Sequence, residues 1–142
     1  ISLGYPAAEQ EVDVLFAQRD HHPLDDLQAV ADAPVVLALQ QAVRSVRVER
    51  GLAGYLVALA HATRQHPELR MGCSPRGTLT LFRMTQAWAF LAGRNYAVPE
   101  DVKAVALPTL AHRLMLDTKA RYSGRSKEDV VRELLERVPV GV

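Results

Sequence analysis

Apolar positions recur at intervals of three and four along most of this chain, and few segments alternate with a period of two. Such spacing places apolar side chains along one face of an α-helix, whereas a half-buried strand would alternate. The pattern predicts an all-α fold, a small bundle of about six short helices, because amphipathic helices without a sheet must pack against one another. We expect these faces to form the core, with Met71 and Met84 filling gaps. The predicted faces contain Val12, Leu15 and Phe16; Val35, Val36, Leu39, Val43 and Val46; Leu52, Tyr55, Leu56, Leu59, Ala60 and Thr63; Leu81, Phe82, Thr85, Trp88, Ala89 and Ala92; Val102, Val105 and Ala106; and Val130, Val131, Leu134, Leu135 and Val138.

Local signals mark the ends of the most apolar helix. Ser74 fits its N-cap, where the hydroxyl can accept a hydrogen bond from a free backbone amide. Pro75 fits the first helical position, where a missing N–H costs nothing. Gly93 is expected to stop the same helix, which is predicted to be the central one.

The C-terminal part contains two less regular segments. Pro108 is expected to kink or restart the helix that begins at Pro99. Residues 117–125 are polar and contain glycine, so they predict a loop with room for a short extended pairing. Ser126 and Asp129 then have the spacing of a capping box for the last helix.

Arg76 lies where a positive charge is unfavourable. It follows Ser74 and Pro75 in the first turn of the apolar helix, where the backbone amides already supply positive charge, at a cost of roughly 0.3–1 kcal/mol for an exposed site. A phosphate or carboxylate bound at this helix end would reverse the cost. Alternatively, Arg76 turns outward and pairs with a surface carboxylate. Helix physics leaves both interpretations open.

Several segments carry distinctive residue combinations. They are LGYP at 3–6, GCSPR at 72–76, GRNYAVPEDVK at 93–103, LPTLAHRL at 107–114, GRS at 124–126 and VPV at 138–140. Together they resemble the MoxR family of AAA+ ATPases over essentially the whole chain. The resemblance implies the C-terminal third of such a protein, the helical lid that follows the nucleotide-binding core.

The resemblance also implies roles for particular residues. Arg76 corresponds to the sensor-two arginine, a catalytic residue that contacts the terminal phosphate of ATP. Ser74 and Pro75 belong to the same nucleotide-binding turn. Tyr5 and Pro6 would lie at the hinge between core and lid, near the adenine base, although Pro6 starting a helix with Tyr5 packed beside it also explains them.

Three further positions bear on this resemblance. Arg113 is a candidate for an interface with a neighbouring subunit, although an arginine late in a helix also suits the helix dipole or a surface ion pair. The chain departs from the family pattern at Cys73 and Gly77, where alanine is usual. Because glycine costs up to about 1 kcal/mol of helix propensity, we expect a looser hold on Arg76.

For the whole protein, the resemblance implies ATP and Mg²⁺ as cofactors, with the lid coupling hydrolysis to subunit motion in chaperone-like remodelling of other complexes. The implied partners are its own AAA+ core, neighbouring subunits of a hexameric ring and a protein with a von Willebrand factor A domain. Whether Arg76 serves its own nucleotide or the adjacent one stays open. The chain has neither a Walker A loop nor a Walker B strand, so we expect a C-terminal piece that does not hydrolyse ATP alone.

Composition narrows the alternatives. The 142 residues suit one domain over 1–142. With 17 basic and 16 acidic residues, the net charge of +1 argues against nucleic acid binding. One cysteine excludes an internal disulfide, and no apolar run suits membrane insertion, so we expect a soluble cytoplasmic domain.

The remaining chemistry offers weaker candidates. His21 and His22 lie near acidic residues in a polar segment, and His61 and His66 should face different directions on a helix, so no metal site is expected. Two other functions remain open: a helix-turn-helix module that binds DNA, with a turn at 93–95, and a structural adaptor that presents a protein-binding groove.

Overall fold

The computed structural model describes residues 4–19 and 21–141, which form seven α-helices and a two-stranded sheet. The predicted all-α, lid-like fold is confirmed, with the small sheet as an addition. The helices are α1 (Ala8–Ala17), α2 (Ala33–Ser45), α3 (Arg50–Arg64), α4 (Pro75–Leu91), α5 (Pro99–Leu110), α6 (Thr118–Tyr122) and α7 (Lys127–Arg137). The strands are β1 (Leu69–Met71) and β2 (Met115–Leu116), and short 3₁₀ turns cover Pro23–Asp26 and Ala111–Arg113.

Residue contacts divide the chain into two units, Ile1–Ala38 and Leu39–Val142. Every described residue of the first unit is exposed, including the apolar positions of α1 and of the first turn of α2. The prediction that these positions form core is wrong, because a periodic stripe shows which face is apolar but not whether anything covers it. The single domain over 1–142 stays a prediction. The exposed members of the predicted core in this unit are Val12, Leu15, Phe16, Val35 and Val36.

The core of the second unit lies between four helices. α4 packs mainly against α5 and also contacts α3, and α7 packs against both α3 and α5. The stripe predicted for α3 is confirmed, since all six of its members are buried. The buried apolar residues that form this core cluster are Val46, Leu52, Tyr55, Leu56, Leu59, Ala60, Cys73, Leu81, Ala89, Ala97, Val102, Val105, Ala106, Leu110, Ala111, Leu114, Val130, Val131 and Leu134.

Four large apolar side chains of the second unit that were predicted to be interior are instead at the surface. Leu39 and Trp88 are each 48% exposed, Met71 57% and Met84 42%. The buried face of α4 is narrower than its apolar stripe, and Gln86 occupies part of it. The Gln86 amide donates to the Val46 carbonyl at 2.7 Å, so a polar residue takes the interior position by bonding the chain that follows α2.

α6 replaces part of the predicted loop at 117–125. β1 and β2 pair as antiparallel strands, and β2 ends just before the segment where an extended pairing was expected. α6 follows at once, and the Asp117 carboxylate caps it by accepting a hydrogen bond from the Ala120 N–H at 2.6 Å. The loop prediction is therefore wrong for 118–122, because one side-chain cap suffices to start a single helical turn.

The other predicted helix boundaries are close to those observed. α5 continues through Pro108 to Leu110 and then tightens into the 3₁₀ turn, so the helix is not restarted at Pro108. α4 stops two residues before Gly93, whose φ of +75° makes it the expected left-handed C-terminal stop. The capping box of α7 is confirmed: the Asp129 N–H donates to the Ser126 hydroxyl at 3.1 Å, and its carboxylate accepts from the Ser126 N–H.

An ion pair between the half-buried Arg94 and the buried Asp101 fixes the connection between α4 and α5. Arg94 donates to both carboxylate oxygens of Asp101, one of them at 2.8 Å, and Asp101 also accepts from the Val98 N–H at 2.8 Å. Burial by itself raises the pKa of Asp101, but these hydrogen bonds and the charge of Arg94 outweigh it, and the pKa lies below its ordinary value of 3.8. Asp101 thus makes the reciprocal bond of a capping box to the backbone of Val98, although the Val98 side chain cannot cap the first turn of α5.

Candidate functional site

The turn before α4 is seated directly on the backbone at the end of α3. A Cβ atom built on Gly72 would lie 2.6 Å from the Arg64 Cα and N atoms and 2.7 Å from the Thr63 carbonyl carbon. No side chain fits there, so glycine is required for the close approach of two backbone segments.

Two side chains of α3 then hold the next residue, Cys73. The buried Thr63 hydroxyl accepts a hydrogen bond from the Cys73 N–H at 2.8 Å and donates to the Ala60 carbonyl at 2.6 Å. The Arg64 Nε atom donates to the Cys73 carbonyl at 2.7 Å. Both polar groups of the Cys73 backbone are therefore bonded to α3, which fixes where α4 can begin.

The start of α4 has the predicted form. Ser74 is the N-cap, and its hydroxyl accepts from the Gly77 N–H at 3.2 Å, while Pro75 occupies the first helical position. A Cβ on Gly77 would lie 2.6 Å from the Cys73 Sγ, so this glycine makes room for the cysteine. The first turn is thus both capped and closely packed.

Arg76 lies on the exposed side of this first turn. Among residues 4–19 and 21–141, no carboxylate pairs with it and no group bonds its guanidinium; only its backbone carbonyl accepts, from the Thr80 hydroxyl at 2.9 Å. The alternative of a surface ion pair is therefore not observed. A guanidinium in this position, beside the amides of a helix N-terminus, has the chemistry to bind an anion.

Arg113 lies beside the same turn. Its Cδ atom is 3.5 Å from the position of a Cβ on Gly77, and its Nε atom donates to the Thr109 carbonyl at 3.1 Å. The bond to a carbonyl near the end of α5 agrees with the alternative role at a helix C-terminus. The structure thus brings Arg113 close to the Ser74 turn, whereas its subunit-interface role stays a prediction.

Tyr5 and Pro6 belong to the first unit, and both are exposed. Ser74, Pro75 and Arg76 belong to the second unit. The nucleotide-binding role predicted for Tyr5 and Pro6 therefore stays a prediction.

An apolar groove of about 390 Å³ runs between α3 and α4 next to the turn. Pro75 and Arg64 form its end nearest the turn, and Val57 and Leu79, both exposed, lie along its length. The remaining lining residues are Ala53, Leu56, His61, Thr78 and Phe82.

A cluster of ionisable side chains joins the connection between α3 and β1 to α7 on another part of the unit. His66 is buried, and its Nδ1 atom accepts from the Glu68 N–H at 3.2 Å, so its Nε2 atom carries the proton and faces Glu133 at 3.4 Å. The Arg125 guanidinium bonds both Glu68, at 3.0 Å, and Glu133. Because Arg125 bonds both carboxylates and Arg137 also pairs with Glu133 at 3.6 Å, the cluster is interpreted as a structural ion-pair network.

Sequence reasoning missed Thr63 and Arg64 as parts of the site. Thr63 was assigned to the apolar stripe of α3, and Arg64 to its cationic last turn. Their bonds depend on the approach of Gly72 across nine or ten residues, which no local pattern encodes. A glycine immediately before a capped helix was the one available signal.

These geometries can be set beside known proteins. Residues 61–134, about half of the chain, match the AAA lid domain family. The chain belongs to this family.

Named relatives place it more closely. It is 38% identical to the uncharacterized protein YeaC of Bacillus subtilis over 142 residues, all of this chain and 44% of that protein. It is 29% identical to the chaperone MoxR1 of Mycobacterium tuberculosis over 97% of this chain and 38% of that protein. The predicted resemblance to MoxR proteins is thereby confirmed, and the chain spans less than half the length of these relatives.

A solved structure gives the same result for the fold. A crystal structure of a protein provisionally assigned as an ATPase, from Cytophaga hutchinsonii, superposes with a TM-score of 0.85 at 27% identity. The match covers 99% of this chain and 45% of that one. Separately, every helix in the described part of the chain is too short or too polar to cross a membrane.

Proposed function

We propose that this chain is the lid of a MoxR-like AAA+ ATPase and that it closes over ATP held by a nucleotide-binding core, with Arg76 contacting the γ-phosphate. The observation that most directly supports this proposal is the position of Arg76. Its guanidinium is exposed and has no partner in the described residues, and it is attached to the capped first turn of a 17-residue helix. The amides of that turn favour the same anion.

The chemistry of Arg76 suits a phosphoryl group. A guanidinium can donate two parallel hydrogen bonds to phosphate oxygens and stays charged at any relevant pH. It can therefore bind the γ-phosphate and stabilise charge that develops during its transfer. ATP with Mg²⁺ supplies the phosphoryl group, and the core would hold the metal.

The attachment of Arg76 to α4 suggests how ATP hydrolysis is coupled to movement of the lid. α4 packs against both α3 and α5, so a force on its first turn acts on the packed unit rather than on one loop. Gain or loss of the γ-phosphate would then tilt the lid against the core as a rigid body. In a ring, this tilt would be passed to a neighbouring subunit, and Arg113 is the candidate contact. The motion would serve chaperone-like remodelling of other complexes. The proposed partner is a protein with a von Willebrand factor A domain.

The exposed apolar side chains of the first unit indicate that another surface covers them in the whole protein. Leu15 and Phe16 of α1 are 70% and 69% exposed, and Leu24 and Leu27 are similarly open. Apolar surface of this extent in one segment is typical of a protein interface. We assign this interface to the protein's own AAA+ core.

A second candidate function is a structural adaptor. The apolar groove between α3 and α4 favours it, since Val57 and Leu79 are exposed along its length and a partner's apolar side chains would fit there. In that case ATP turnover would not depend on Arg76.

The deciding experiment uses the intact protein that carries this chain together with its nucleotide-binding core. We expect Arg76→Ala to lower ATP turnover at least about a hundredfold and Arg76→Lys to restore little of it, because lysine cannot form the paired contacts. Circular dichroism should be unchanged, since the side chain is exposed.

Arg70→Ala is the matched control, because Arg70 is another exposed arginine of the second unit without an ion pair in the described residues. It should leave turnover unchanged. Normal turnover in Arg76→Ala would refute the sensor role and favour the adaptor.

A further inference from the structure

We infer that Thr63 and Arg64, at the end of α3, are positioning residues for Arg76, acting through the backbone of Cys73. This inference rests on the proposed function of Arg76 and adds the device that aims it. Neither side chain would touch the nucleotide. Their effect is to set where α4 begins and therefore where the guanidinium points.

The Thr63 hydroxyl both accepts and donates a hydrogen bond. It accepts from the Cys73 N–H at 2.8 Å and donates to the Ala60 carbonyl at 2.6 Å, and Thr63 is 1% exposed. The donation orients the hydroxyl so that its lone pair faces the Cys73 amide. Valine has the same shape but neither bond, and serine keeps both.

Arg64 holds the other end of the same peptide unit. Its Nε atom donates to the Cys73 carbonyl at 2.7 Å, although the residue as a whole is exposed. The bond joins a side chain to a backbone carbonyl nine residues away, so it is a tertiary contact that depends on the position of the turn. Replacement of Arg64 removes the donor without opening the core.

Few soft torsions separate Cys73 from Arg76. Pro75 has a fixed φ, and Ser74 is held by its own cap to the Gly77 N–H at 3.2 Å. Gly72 on the other side is pressed against the α3 backbone. A shift of the Cys73 peptide is therefore transmitted to the first turn of α4 with little loss, and misplacement of a catalytic group by about 1 Å can cost on the order of a hundredfold in rate.

The test measures kcat and KM for ATP in the intact protein. We expect Thr63→Val and Arg64→Met each to lower kcat about tenfold. The loss of either bond should displace the Arg76 guanidinium by less than about 1 Å, and the loss of rate should be correspondingly smaller than a hundredfold. Thr63→Ser should restore kcat to near the wild-type value. Arg70→Met, which removes an exposed arginine of the same unit, should change nothing.

A double-mutant cycle separates positioning from general destabilisation. If Thr63 and Arg64 act through Arg76, then adding either substitution to Arg76→Ala lowers kcat by less than about twofold further. A structural defect would instead lower kcat by the same factor in both backgrounds. If Thr63→Val reduces the folded fraction, Arg64→Met at the surface carries the test alone.

The outcomes distinguish the two claims. Wild-type kcat in Arg64→Met, or equal losses with and without Arg76, would overturn the positioning role while leaving the sensor role intact. Normal turnover in Arg76→Ala would overturn the proposed function itself. A tenfold loss that disappears in the Arg76→Ala background supports both.

Discussion

At the residue scale, Cys73 and Gly77 share one volume. The Cys73 Sγ lies 2.6 Å from where a Cβ on Gly77 would be, and Cys73 is 1% exposed, so the sulfur would have to rotate within the packed interior to admit that Cβ. Relative to alanine, Cys73 has one more heavy atom and Gly77 has one fewer. The two departures from the family pattern therefore compensate each other in space.

Because the two residues share this space, the effect of Gly77→Ala on the free energy of unfolding should change sign when Cys73 is replaced by alanine. Gly77→Ala alone should lower the free energy of unfolding by about 1–3 kcal/mol, because overpacking outweighs the gain in helix propensity of up to about 1 kcal/mol. In the Cys73→Ala background, the same change should raise it by up to about 1 kcal/mol. Urea denaturation of the four proteins measures both effects, and equal values in the two backgrounds would show that the positions are independent.

Asp101 predicts a loss of stability in acid. Its pKa is lowered in the folded protein, so the unfolded chain binds a proton at higher pH than the folded chain does. Its contribution is complete above its ordinary value of 3.8 and is lost as the pH falls through the lower folded value. Asp129 acts in the same window, since the Ser126 hydroxyl and backbone lower its pKa.

The matched variant for this effect is Asp101→Asn. At pH 7 it should cost about 1–3 kcal/mol, because a buried site loses charge-assisted hydrogen bonds from Arg94. Its unfolding free energy should then fall less steeply than that of the wild type between pH 5 and pH 2, in urea titrations. Parallel pH curves for the two proteins would contradict the assignment.

Local chemistry could be predicted from single residues, whereas contacts between distant residues could not. Ser74 and Pro75 were predicted correctly because a cap depends only on its own turn. Arg76 could be singled out for the same reason. The dependence of Gly77 on the Cys73 sulfur appears only when the turn is folded.

At the element scale, two glycines test how α3 supports the turn. Gly72→Ala should cost at least about 2 kcal/mol, because its Cβ would lie 2.6 Å from backbone atoms of Arg64 that cannot move aside. Gly54→Ala, within α3 and with no atom within 4 Å of its Cβ, should instead stabilise by about 0.5–1 kcal/mol. Thermal unfolding of both variants measures the contrast. Similar shifts of the two midpoints would show that α3 and the turn are not in close contact.

Element length decided which elements the sequence could predict. α3 has 15 residues, enough for its six-residue stripe to define a face. β1 has three residues, β2 two and α6 five, so none repeats its period often enough to define a face. These elements depend on pairing across the chain and on the Asp117 cap.

At the scale of the whole molecule, the buried residues of the described chain lie between Val46 and Leu134. The periodic pattern extends further, through α1 and α2, because it records which faces are apolar and not what covers them. The core could therefore be predicted for the second unit but not for the first. The resemblance to MoxR proteins led to a hypothesis that periodicity could not supply, namely that an AAA+ core covers those faces.

Deletion of residues 1–30 tests whether the first unit stabilises the second. The shortened chain keeps Asp32, whose carboxylate accepts from the Val35 N–H at 2.9 Å at the start of α2. It also keeps every buried residue among those described. Urea denaturation should therefore give the same free energy of unfolding as the full chain, within about 0.5 kcal/mol. A loss well above that value would show that 1–142 folds as one domain, since the removed segment would then contribute stability that its exposed side chains do not account for.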